Sequence, residues 1–182
     1  GVLTFSTSVT AVPGFTNDYL PSASIPDKSV VIWGIKGTGG NDGIATRTFG
    51  APPNRQHWIY FGSYTLPASS VYDWTYWSIV LEESTDKIYF VDQATSPDVT
   101  SGVTVGIQVD NANASLVLGS PQLMPTAGAD FSISDNGYYE FIYDVQPTYD
   151  IEGTSITMET FALFSEGSQT ITGTLTNFGS AT

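Results

Sequence analysis

The chain has no segment in which apolar residues recur at helical spacing, and this confines what it can fold into. Ala, Leu, Glu and Lys never combine into a sustained i, i+3, i+4, i+7 pattern. The best candidate for a helical turn, residues 158–164, still reads as a strand. In place of helices, short β-branched and aromatic runs recur between Gly, Pro, Asn and Asp punctuation. The expected strands are 2–12, 29–35, 44–49, 58–66, 74–81, 87–93, 103–109, 115–118, 131–133, 138–144, 155–164 and 170–177. The continuous apolar run VVIWGI in the second of these predicts burial on both faces. Strands at this spacing, without helices, predict an all-β fold: a single antiparallel β-sandwich of jelly-roll type, with about 11–12 strands and little or no helix. The short connections predict one domain over residues 1–182, with no internal repeat.

Composition narrows the function classes. The 182 residues are 41% hydrophobic, enough for a core, and carry a net charge of −13. The five basic residues, Lys28, Lys36, Arg47, Arg55 and Lys87, all precede the eleven acids that lie between Ile88 and Thr182. Nucleic-acid affinity comes largely from Lys and Arg on phosphate, so nucleic acid is excluded as a partner and anionic lipid is disfavoured. There is no Cys, which removes disulfides, zinc–thiolate sites and thiol nucleophiles. No apolar run approaches the ~18 residues of a spanning helix. A chain opening at Gly1 fits signal-peptide removal, tag cleavage or loss of the initiator Met. With 20 Ser, 23 Thr and few Lys, the expectation is an exported, extracellular or cell-surface protein.

Catalytic equipment is sparse. His57 is the single His and, beside Trp58, reads as structural; no G-x-S-x-G elbow accompanies it. Two-carboxylate glycoside chemistry would have to draw on Glu82, Glu140 and Glu159. Glu140 lies in GYYEFIYD, a pattern that a strand with one wet face also produces. The expectation is therefore a non-enzymatic protein without catalytic residues or cofactors. The stretches Asp110-Asn111-Ala112-Asn113 and Asn41-Asp42-Gly43 offer oxygen ligands but miss the calcium-loop spacing, and read as turns; no metal is expected. Asn113-Ala114-Ser115 is an acceptor triplet for N-glycosylation in a glycosylating host.

The stretch VYDWTYWSIVLEESTDKIYFVDQAT joins a Trp-led strand, a polar turn and an IYFVD strand, and a further pair of strands ends in LVLGS. Residues 71–120 so defined resemble the corresponding hairpins of laminin-G and concanavalin-A-like sandwiches. They depart from that pattern where Gln93, not Gly, follows Asp92. The resemblance implies a jelly-roll sandwich and raises glycan binding, without assigning residues. Trp58, Tyr60, Tyr64, Trp74, Tyr76 and Trp77 are the candidate sugar-stacking aromatics, with core filling as the competing role.

The opening residues GVLTFSTSVTAVPG alternate as a strand, with Leu3, Phe5, Thr7 and Val9 on one side. Two readings stay open: pairing within the domain's own sheet, or donation of residues 1–14 to a neighbouring subunit. Head-to-tail donation builds an open homopolymer. The leading functional expectation is thus an exported structural subunit of a surface filament or pilus-like assembly. A carbohydrate-binding, lectin- or adhesin-like module comes second, and a virion jelly-roll protein third.

Overall fold

The computed structural model describes residues 1–9, 14–38, 40–66, 73–142, 151–157 and 172–177. The chain divides into two compact units, Gly1–Ile142 and Tyr143–Thr182. All regular structure among the described residues is β, every strand pairing is antiparallel, and no helix is long and apolar enough to cross a membrane.

In the first unit, β1 (Val2–Thr4), β2 (Ser29–Trp33), β7 (Thr104–Gln108) and β8 (Ala114–Leu116) form a four-stranded sheet in the order β1-β2-β7-β8. A five-stranded sheet runs β3-β4-β5-β6-β9, from β3 (Gly43–Phe49), β4 (Gln56–Tyr64), β5 (Thr75–Glu82), β6 (Ile88–Thr95) and β9 (Gly137–Phe141). The two sheets share one core. Val30, Ile32, Val103 and Val105 from the first side meet Phe61, Trp77, Ile79 and Phe90 from the second. The second unit contains β10 (Ile151–Thr157) and β11 (Thr172–Asn177), paired with an irregularity between Gly153 and Ser155.

Strand β2 is buried along its whole length, as its unbroken apolar run predicts. Val30 and Ile32 enter the shared core; Val31 and Trp33 face the other way and pack with Leu20 and Ile25. Gly34, at φ 116°, ends the strand in a conformation that side chains resist. The segment carrying Leu20 and Ile25 is pinned across the outer face of the four-stranded sheet. Trp33 Nε1 donates to the Gly14 carbonyl at 2.7 Å, and Thr104 Oγ1 donates to the Asp18 carbonyl at 2.7 Å. Buried Gln108 donates to the Ser22 and Ile25 carbonyls and accepts from Ser22 N–H.

Two strand expectations are corrected. The first strand covers Val2–Thr4, not residues 2–12. Its partner β2 starts at Ser29, Lys28 sits at φ 56°, and Pro26 has no N–H, so after Phe5 N–H bonds the Lys28 carbonyl the ladder has nothing to join. Hydroxyls then take over: Thr4 Oγ1 accepts from Ser6 N–H and Ser6 Oγ from Ser8 N–H. Residues 131–133 form a turn, because Phe131 sits at φ 57° and Asp130 Oδ1 captures Ser132 N–H. Residues 10–12, 143–144, 158–164 and 170–171 of the expected strands lie outside the described residues, as does Glu159.

Candidate functional site

Period-2 alternation gives the five-stranded sheet two unlike faces. Ile59, Phe61, Trp77, Ile79, Phe90, Tyr139 and Phe141 point into the core. The opposite side chains stand in cross-strand rows. One row reads Arg47, Trp58, Val80, Tyr89, Glu140; the next reads Ala45, Tyr60, Ser78, Val91, Tyr138. Between these rows lies a cleft of about 510 Å³, lined by Trp58, Val80, Tyr89, Val91, Tyr138 and Glu140 together with Gln56, Ile133 and Asn136. Val80 and Val91 are buried at its floor, whereas Tyr138 is 67% exposed. A second cleft of about 270 Å³ adjoins it through the shared Gln56 and is lined by Phe49, Gly50, Asn54, Glu82, Glu83, Ser84 and Thr85.

The aromatics are held by one another and by polar neighbours. Phe49 meets Trp58 edge-on at 6.3 Å, and Tyr60 leans on Tyr76 at 5.9 Å. Trp74 stacks on Phe131 at 5.7 Å, where the turn at 130–135 brings that ring over the sheet's end. Trp58 Nε1 donates to Gln56 Oε1 at 3.2 Å, and Gln56 Nε2 donates to Glu82 Oε2 at 2.6 Å. The Tyr89 hydroxyl lies 3.2 Å from Glu140 Oε1 and 3.5 Å from Glu82 Oε1. Lys87 pairs with Glu140. These contacts set the charges. The hydrogen bond from Gln56, with that from Thr85, holds the Glu82 carboxyl below the usual range. The hydrogen bond from Lys87, with that from Tyr89, does the same for Glu140. Burial, with the Glu140 hydrogen bond, pushes the Tyr89 phenol up.

Of the six candidate aromatics, Trp58, Tyr60 and Tyr76 belong to the outer face, with Trp74 at its end. Trp77 is corrected out of the set: it is 0% exposed in the core, its Nε1 donating to Thr75 Oγ1 at 2.9 Å. Tyr64 is half-buried and lies away from this face, in a cleft with Phe15, Ile44 and Phe61. Alternation from Tyr60 would put it outside, but the β4–β5 irregularity between Phe61 and Tyr64, with Ser63 at φ 58°, turns it against Phe61 and the core. Two residues were missed, Tyr89 and Tyr138. The signal was present in IYFVD and GYYEF, where the core-facing alternates are Phe90, Tyr139 and Phe141.

The remaining candidates lie elsewhere. Leu3 packs against the core from β1, while Phe5, Thr7 and Val9 are exposed beyond the strand's end. Asn113 is exposed, and its Nδ2 donates to both Asp110 oxygens at 2.9 Å. Asp110 also accepts from Ala112 and Asn113 N–H, closing the turn. His57 Nδ1 lies 2.8 Å from Thr48 Oγ1. No cluster of three or more metal-ligating side chains occurs among the described residues. Comparison with protein-family models, curated proteins and solved structures finds no match.

Proposed function

We propose that this protein is an exported, non-hydrolytic carbohydrate-binding module whose binding surface is the outer face of the five-stranded sheet. The observation that carries the reading is the alternation of amphipathic rings with hydrogen-bonding groups along that face: Trp58, Tyr60, Tyr76, Tyr89 and Tyr138 among Gln56, Gln93 and Glu140. Sugars present apolar C–H faces and a polar rim, which such a surface complements. The two cleft carboxyl groups on Tyr89 support binding without cleavage as part of this proposal. Glu82 and Glu140 share the Tyr89 hydroxyl, but both are held low. A glycosidase needs one acid held high to protonate the leaving group. The chain crosses between sheets from β2 to β3, β6 to β7 and β8 to β9, and a jelly-roll sandwich is the proposed class.

The test is a glycan array read with tryptophan fluorescence. The native protein should bind at least one glycan and leave it uncleaved, and Trp58→Ala should lose the signal. A Trp58→Ala protein that binds as well as the native one removes this face from consideration.

Assembly by strand donation is a second proposal, favoured by one observation. β1 is a three-residue edge strand, touching its own sheet through β2 alone. Exchange of β1 between copies would build the head-to-tail polymer. Sedimentation velocity on the full chain and on a chain starting at Gly14 tests it: polymers of the full chain alone support donation, and compact monomers of both refute it.

A further inference from the structure

We infer that the ligand of this face is an extended, uncharged oligosaccharide lying across the strands, several sugar units long; the inference rests on the carbohydrate-binding reading. Length comes from register. The row Trp58, Val80, Tyr89, Glu140 crosses four strands in direct opposition and lines the larger cleft. Three spacings of about 4.8 Å make a track of about 14 Å, longer than one sugar ring. Rings stand at separated points along and beside it, Trp58 and Tyr60 on β4, Tyr89 on β6 and Tyr138 on β9, with Val80 and Val91 as the floor between them. Rings spaced in this way hold successive units of a chain, and one sugar would leave most of them bare.

Charge comes from the lining. Neither cleft is lined by Lys or Arg: the larger contains Glu140, the smaller Glu82 and Glu83. The nearby cations are already engaged, Lys87 with Glu140, Arg55 with Glu83 and Arg47 over the Phe49 ring at 4.9 Å. A uronate or sulfated sugar would meet carboxylates with no opposing cation, against the field of a chain of net charge −13. The carboxylates here are already hydrogen-bonded, Glu140 by Lys87 and Tyr89 and Glu82 by Gln56 and Thr85, so a polycationic sugar would have to displace those contacts. Hydroxyls, which donate to and accept from such groups without disturbing their pairing, are what the surface fits.

The experiment is titration calorimetry with the disaccharides and hexasaccharides of neutral series (β-glucan, xylan and mannan), with hexagalacturonate and with the glucosamine hexamer. One neutral series should bind, its hexasaccharide about tenfold or more tighter than its disaccharide. Trp58→Ala and Tyr138→Ala should each weaken the hexasaccharide about threefold to tenfold, with unchanged melting temperature. A disaccharide as tight as its hexasaccharide overturns the extended track while glycan binding stands. Tighter binding of hexagalacturonate or of the glucosamine hexamer overturns the requirement for neutrality. Failure of every sugar overturns the carbohydrate reading itself.

Discussion

The outer faces of the two sheets are treated differently. On the four-stranded sheet the chain lays its own segment 14–28 over Val31 and Trp33, fixed by Leu20, Ile25 and the hydrogen bonds of Gln108, Thr104 and Trp33. On the five-stranded sheet, among the described residues, only the turn at 130–136 reaches over, setting Phe131 on Trp74 and Ile133 and Asn136 at the cleft's rim. One face is closed with apolar contacts and satisfied carbonyls. The other keeps its rings accessible and its polar groups bonded sideways, along the surface.

The largest expected effect breaks the comparison directly. Trp33 is 4% exposed and anchors the covering segment, so Trp33→Ala should cost about 3–5 kcal/mol in urea unfolding, the range for a buried large ring. Trp58→Ala on the uncovered face should stay within about 1 kcal/mol, since that side chain sits among surface neighbours. Equal losses in the two variants would mean that the face of Trp58 is also part of a core.

The difference between the faces was only partly legible in the sequence. The unbroken apolar run at 30–35 announced a strand buried on both sides, and the structure buries it by bringing Leu20 and Ile25 over it. Nothing local announced that residues 14–28 would be that cover: their contact with the sheet depends on Gln108, whose side chain bonds residues 86 and 83 positions earlier. On the other sheet, alternation alone separates Tyr76, Ser78 and Val80 from Trp77 and Ile79, so for Trp77 the competing role of core filling is legible in the sequence. Tyr64 is different, because the irregularity after Phe61 inverts the alternation and leaves no composition cue. The early end of β1 is likewise a property of the partner strand, not of the alternating residues 2–12.

A smaller effect sharpens the comparison by loosening the cover while leaving the sheet beneath it. Gln108 is 0% exposed and serves three backbone groups, Ser22 N–H and the Ser22 and Ile25 carbonyls. Gln108→Ala removes the partner of the Ser22 N–H and of the Ile25 carbonyl, while the Ser22 carbonyl keeps the Ile25 N–H, at a cost of about 1–3 kcal/mol. Limited proteolysis should then cut within 14–28 sooner than in the native protein. Digestion at the native rate would show that Leu20 and Ile25 hold the segment without the glutamine.

The smallest effect lies in pH dependence, where the two sides of β6 should oppose each other. Asp92, 1% exposed, accepts from Thr126 and Ala127 N–H, yet burial is the larger influence and pushes its carboxyl up. A folded pKa above the unfolded one means that this group favours folding below the unfolded pKa, and that the gain is lost as pH rises through the folded pKa. Glu82 and Glu140 on the outer side are held low, so their contribution is present above the unfolded pKa and is lost as pH falls through the folded one. Asp92→Asn removes the opposing contribution. Its altered hydrogen bonding shifts stability by a pH-independent amount, which cancels in a difference between two pH values. The rise in melting temperature from about pH 4 to about pH 7 should therefore be larger in Asp92→Asn than in the native protein. An equal or smaller rise would mean that the two backbone donors outweigh burial, and that both sides of the strand hold their carboxylates alike.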